Sequence, residues 1–126
     1  MTEPMTDRLL IVEDNPLIAA AIEKAGARLQ MEADVVTDGW AAIEMLREGN
    51  YRAIVIDSEI PRRSGFGVLT YLKEEVGECL GNVVVMTTSD HDSIRRRVSD
   101  RLQVIAQCDE IDTITAAVTS AVRDRA

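Results

Sequence analysis

Ala53-Ile54-Val55-Ile56-Asp57, followed at once by Ser58-Glu59-Ile60-Pro61, is the stretch on which the reading of this chain turns. An unbroken apolar run that stops at an acid and a turn signal reads as a strand buried on both faces, the kind found in parallel sheets. An acid at the carboxyl end of such a strand stands where open α/β sheets place their ligands. Working outward, Leu9-Leu10-Ile11-Val12 runs into the acidic pair Glu13-Asp14, and Asn82-Val83-Val84-Val85-Met86 delivers Thr87 to the same edge. Two acidic strand ends and one hydroxyl strand end on a single rim point to a site for a divalent metal and a phosphoryl group.

Strand-like and helix-like segments alternate five times along the chain, which predicts a βα-repeating α/β domain with a parallel sheet. The strands are expected at 8–12, 33–36, 53–57, 82–87 and 102–106. Asn15-Pro16 starts the first helix, with proline at its first position. Ile18, Ala21, Ile22, Ala25 and Leu29 carry that helix to about residue 30 at helical spacing. Asp38-Gly39 opens a second helix with Trp40, Ile43 and Leu46 inward, closed by Gly49-Asn50. After a Pro61–Gly65 turn a third helix is expected at about 66–76, with Leu69, Leu72 and Val76 on its apolar side. A short fourth helix around 91–99 has only Ile94 and Val98 in its stripe, and the fifth, about 110–123, buries Ile111, Ile114, Val118, Ala121 and Val122. No internal repeat, low-complexity tract or linker interrupts this pattern. A single domain over residues 1–126 is expected, with its core at about 7–124 and no output domain.

At 126 residues the chain can bury one core without staples. Its formal charge of −8 and pI of about 4.6 disfavour direct nucleic-acid binding, which needs a basic face. They suit solubility and basic partner surfaces instead. Cys79 and Cys108 have no metal-type spacing, and two thiols in an ordinary-sized domain suit a reducing compartment. No apolar stretch approaches the ~20 residues of a transmembrane helix. Met1 to Asp7 lacks the basic and apolar regions of a signal peptide, so a cytoplasmic location away from membranes is expected.

Carboxylates converging on one rim repel each other. At an effective dielectric of about 20, two unit charges 5 Å apart cost roughly 3 kcal/mol. A hard divalent cation with oxygen ligands would offset that cost, and Mg²⁺ fits, being held by carboxylates, waters and phosphate oxygens. With the metal in place Asp57 becomes a plausible nucleophile for aspartyl-phosphate chemistry. Thr87 could hydrogen-bond a phosphoryl oxygen across the rim. Taken singly, Asp57 also suits a turn, Glu13-Asp14 a helix N-terminus, and Thr87-Thr88-Ser89 a capping run.

At these residues the chain resembles the receiver domain of bacterial response regulators. Leu10-Ile11-Val12-Glu13-Asp14-Asn15 is similar to that family's first-strand acidic motif. Ile54-Val55-Ile56-Asp57, with Pro61 four residues on, resembles its phosphoacceptor strand and loop, and Val83-Val84-Val85-Met86-Thr87 its hydroxyl switch strand. The resemblance covers roughly residues 7 to 124. It implies a flavodoxin-like (βα)5 three-layer sandwich whose five-stranded parallel sheet has the order 2-1-3-4-5. It also implies Asp57 as phosphoacceptor, with Glu13, Asp14, Asp57 and the Glu59 backbone carbonyl around Mg²⁺. The implied partners are a histidine kinase or histidine phosphotransfer protein and a downstream protein docking on the 90–123 face. The implied product is a stand-alone signalling module, monomer or weak homodimer, that catalyses at most its own phosphorylation and dephosphorylation.

The departures from the family pattern are as informative. The fifth strand of that family ends in a lysine, usually followed by proline; here Gln107 and Cys108 stand in those places. No lysine occurs after Lys73, no proline after Pro61 and no aromatic after Tyr71, so Val104 replaces the aromatic switch residue. Thr88 stands where a small residue is usual and could crowd Asp57. Gln107 itself reads first as the polar residue that exits a strand, Cys108 as a small apolar filler, and His91 as an exposed helix-start residue. Arg95-Arg96-Arg97 reads as a solvated helix face, with a docking surface as the alternative. These departures keep a second reading open: a pseudo-receiver, an interaction module not switched by phosphorylation. A haloacid-dehalogenase-type phosphatase is disfavoured because Glu59 occupies the place of its second aspartate, and a nucleotide binder because no glycine-rich loop follows the first strand.

Overall fold

The computed structural model describes residues 7–60, 65–76, 80–99 and 101–125. Five strands, β1 (Arg8–Val12), β2 (Glu32–Val36), β3 (Ala53–Asp57), β4 (Val83–Thr87) and β5 (Gln103–Ala106), form one parallel sheet of order β2-β1-β3-β4-β5. Between them run α1 (Pro16–Arg28), α2 (Gly39–Glu48), α3 (Gly65–Thr70), α4 (His91–Arg97) and, after β5, α5 (Ile111–Arg125). The expected flavodoxin-like α/β architecture and strand order are what the chain adopts.

Side chains alternate across each central strand, and both sets are buried. Leu10, Val12, Ile54, Ile56, Val83 and Val85 face Ala42, Ile43, Val68, Leu69, Leu72, Ile94 and Val98 of the α2, α3 and α4 side. Leu9, Ile11, Ala53, Val55, Val84 and Met86 face Ala21, Ile22, Ala25, Ile114, Ala117, Val118 and Ala121 of α1 and α5. This is why the strands read as continuous apolar runs: a sheet covered on both faces has no solvent side to mark with polar residues.

The helix starts carry their own signals. Asn15 Oδ1 accepts the Leu17 and Ile18 amides at 2.9 and 3.3 Å, with Pro16 at the first helical position. Asp38 Oδ1 accepts the Ala41 amide at 2.8 Å, and Asp90 Oδ2 the Ser93 amide at 3.1 Å. The third helix departs from its expected form. It is α-helical only over Gly65–Thr70 and continues as a wider π-helical stretch, Tyr71–Val76. Leu69 and Leu72 are buried as expected. The rest of the Pro61–Gly65 turn, Cys79 and the side chain of Val76 lie outside the described residues.

Trp40 corrects the expectation for α2: it is 57% exposed rather than inward. The buried residues of this helix are Gly39, Ala42 and Ile43. At about 100° per residue, Trp40 is turned one step off that stripe. In α5, Ile114, Val118 and Ala121 are buried together with Ala117, while Ile111 and Val122 are only partly covered. An ion-pair network secures the edge strand. Arg8 reaches Glu32 at 2.9 Å and Asp34 at 2.6 Å, and the Tyr51 hydroxyl donates to Asp34 at 2.8 Å. The Arg8 guanidinium, and next the Tyr51 hydroxyl, hold the Asp34 carboxyl below the usual carboxylate range. Among the described residues no helix is long and apolar enough to cross a membrane.

Candidate functional site

A parallel sheet brings the carboxyl ends of all its strands to one rim, so the residues just past β1, β3, β4 and β5 become neighbours. Pairing of Val12 with Ile56, Asp57 with Met86, and Thr87 with Ala106 places Glu13, Asp57, Thr87 and Gln107 there. One carboxylate oxygen from each of Glu13, Asp14 and Asp57 lies within 4.8 Å of the others. Glu13 is 1% exposed and Asp57 3%, while Asp14 faces solvent.

The two buried acids are in different situations. Asp57 Oδ1 accepts the Glu59 amide at 2.8 Å, and its Oδ2 accepts the Gln107 Nε2 at 2.5 Å. Neither oxygen of Glu13 has a hydrogen-bond partner among the described residues. Burial first, then the adjoining Asp57 carboxyl and the Asp14 charge, push the Glu13 pKa up to about 9. A carboxyl buried beside another carboxyl without a donor of its own is costly to ionise. An oxygen-seeking divalent cation would relieve that, so this donor set fits Mg²⁺.

Thr87 is 1% exposed, and its hydroxyl oxygen accepts bonds from Ser58 Oγ and the Ser89 amide, each at 3.0 Å. Thr88 is exposed, and its hydroxyl donates to Glu59 Oε1 at 2.9 Å, joining the exits of β4 and β3. Val104 is buried in the core on the α2, α3 and α4 side, and Cys108 is a half-buried free thiol packed beside α1 and α5. Of the arginine stripe, Arg95 pairs with Asp92 at 3.5 Å and Arg96 with Asp90 at 4.0 Å, within their own helix start.

Gln107 is more than the polar end of a strand. Its amide donates directly to Asp57, held there by its own backbone N–H, which donates to the Thr87 carbonyl at 3.1 Å. The chain's last lysine is engaged elsewhere: Lys73 Nζ donates to the Val98 carbonyl at 2.7 Å, at the end of α4. Two residues of the site escaped the sequence reading. Ser58 is a buried hydroxyl directly after Asp57, and its polarity inside an apolar strand exit was the available signal. Gly65 abuts the end of β3, where an added Cβ would lie 2.7 Å from the Asp57 carbonyl oxygen. Nothing local marks that approach.

Residues 9–119 match the family described as the response regulator receiver domain. The chain belongs to this family. As a receiver domain it is a component of two-component signal transduction, a signalling domain rather than a conventional enzyme. The transcriptional regulatory protein CutR of Streptomyces coelicolor is 35% identical over 96 residues, covering 76% of this chain and 41% of that protein. The response regulator protein PmrA of Pseudomonas aeruginosa is 34% identical over 96 residues, 75% of this chain and 39% of that protein. The chain thus spans about two-fifths of the length of these curated relatives. Among solved structures, the receiver domain of the Francisella response regulator 1452 superposes with a TM-score of 0.79 at 19% identity, over 96% of this chain and all of that one. The Thermotoga maritima response regulator TrrA, solved in complex with Mg²⁺ and beryllofluoride, gives 0.76 at 20% identity, over 92% of this chain and 99% of that one. At these identities the structural likeness is one of fold.

Proposed function

We propose that Asp57 accepts a phosphoryl group from a histidine kinase or histidine phosphotransfer protein, and that the phosphorylated domain signals by binding a downstream protein through the 90–123 face in the cytoplasm. The observation that carries this reading is the buried Asp57 carboxylate with Glu13 and Asp14 oxygens within 4.8 Å, Glu13 having no hydrogen-bond donor among the described residues. Glu13, Asp14, Asp57 and the Glu59 backbone carbonyl would hold Mg²⁺. Bound there, the cation would neutralise the carboxylates and draw charge from the phosphoryl oxygens, most of what phosphoryl transfer needs.

The protein's own groups supply orientation. An Asp57 oxygen forms a bond to phosphorus as the phosphorus–nitrogen bond of the donor phosphohistidine breaks, and the electron pair leaves on the imidazole nitrogen. The Glu59 amide, 2.8 Å from Oδ1, keeps the carboxylate from rotating. The Thr87 hydroxyl stands across the rim for a phosphoryl oxygen. Gln107, already on Oδ2, offers a neutral donor where the family resemblance leads one to expect a cation. The test is intact mass after incubation with Mg²⁺ and a small phosphodonor, wild type against Asp57→Asn. A gain of one phosphoryl group in wild type alone is expected, and a gain that persists in Asp57→Asn sinks the assignment.

Gln107 and Val104 favour a second reading, a pseudo-receiver that keeps the fold without switching. A neutral amide at 2.5 Å from Asp57 and the aliphatic Val104 give β5 and its exit neither a counter-charge nor an aromatic ring to reposition. Absence of any phosphoryl gain in wild type across several donors supports it.

A further inference from the structure

The Thr87 hydroxyl has a hydrogen-bonding pattern with a chemical consequence. A hydroxyl carries one proton and two acceptor lone pairs. Thr87 Oγ1 accepts the Ser89 N–H at 3.0 Å and lies 3.0 Å from Ser58 Oγ, and with Ser58 as the donor both of its acceptor positions are filled. In that arrangement the Thr87 proton is left to donate to a further acceptor. We infer that Ser58 is a positioning residue that sets the Thr87 hydroxyl as a donor for an anionic oxygen beside Asp57. This inference rests on the reading of Asp57 as the phosphoacceptor.

Ser58 is itself firmly placed. Its backbone N–H donates to the Met86 carbonyl at 3.0 Å, extending the β3–β4 ladder by one bond past Asp57. Gly65 of α3 comes so close that an added Cβ would stand 2.8 Å from the Ser58 Cα. The side chain is buried, and its bond to Thr87 spans two strands 29 residues apart in sequence. Thr87 is the partner the described residues give this buried hydroxyl, so the pair satisfies Ser58 while orienting Thr87. The arrangement matters more in this chain because Gln107 brings no positive charge. Donor geometry at the phosphoryl oxygens must then do more of the selecting.

The test uses beryllofluoride with Mg²⁺ as the phosphoryl stand-in, with the dissociation constant read from amide resonances of the full chain. Wild type, Ser58→Ala, Thr87→Ala and the double variant form a cycle that isolates what Ser58 does through Thr87. Ser58→Ala should weaken binding by about threefold to tenfold, the size of one neutral hydrogen bond, and should have no further effect in the Thr87→Ala background. Ser58→Cys, which keeps a side-chain donor but a weaker one, should fall between and guards against misfolding of the alanine variant. Equal or tighter binding by Ser58→Ala overturns the inference, since Thr87 would then have been donating to Ser58 and been released. The same loss in the Thr87→Ala background also overturns it, because Ser58 would be acting by another route. A wild type with no beryllofluoride response removes the phosphoacceptor reading itself and this inference with it. A responsive wild type matched by Ser58→Ala removes only the role of Ser58.

Discussion

Replacing Gly65 with alanine sets two known effects against each other at the end of β3. A Cβ on residue 65 would lie 2.7 Å from the Asp57 carbonyl oxygen, 2.8 Å from the Ser58 Cα and 3.0 Å from the Ile56 Cγ2. The two nearest atoms are backbone at the end of β3, where Asp57 pairs with Met86 and the Ser58 N–H donates to the Met86 carbonyl, so neither can rotate aside. Relief requires the start of α3 to retreat from the sheet. In an unstrained helix alanine is the better residue by about 0.5–1 kcal/mol. Forcing extra volume into a packed contact costs typically about 1–3 kcal/mol. The second effect wins, and Gly65→Ala should lose about 1–2 kcal/mol. Urea unfolding would read this as a lower midpoint at unchanged slope. The displacement should also appear in the amide resonances of residues 57–59, with α5 unaffected. Equal or greater stability, with those resonances in place, would refute the claim that the start of α3 fixes the backbone carrying Asp57.

In metal-free buffer, Glu13 should make stability fall as pH rises. Its folded pKa of about 9 exceeds the ordinary 4.5, so its contribution is complete below about 4.5 and is lost as pH climbs through about 9. Glu13→Gln should abolish that decline, and unfolding midpoints at several pH values that decline equally in both proteins would refute it. Asp34 has the opposite sign: its folded pKa is depressed, so its contribution is present above the ordinary carboxylate value and lost as pH falls through the folded one. Asp34→Asn should cost about 1 kcal/mol at pH 7 and nothing at acid pH, a difference that paired thermal melts would detect. Gln107→Lys should strengthen beryllofluoride binding by about 1 kcal/mol, because a charged donor outbids a neutral one. It should also enlarge the ligand-induced amide shifts over residues 95–115. Large shifts through that stretch in the wild type would show that switching persists without the lysine.

Features set by neighbours along the chain were legible in the sequence. Apolar runs at 53–56 and 83–86 announced strands covered on both faces, and Asn15-Pro16 and Asp38-Gly39 announced helix starts, since caps act over two or three residues. Glu13-Asp14, Asp57 and Thr87 were legible as rim residues, because a parallel sheet puts every strand's carboxyl end on one edge whatever its order. Trp40 was misread where a stripe only three residues wide left its boundary to the packing of α2 against the sheet. The tertiary structure alone decided that Gln107 touches Asp57 across 50 residues, that Ser58 touches Thr87 across 29, and that α3 leaves no room for a Cβ at 65. The periodicity of a segment states which face is buried, but not what that face meets. Hydrogen bonds depend on tenths of an ångström between strands, and those distances exist only once the sheet has its register and the helices their depth.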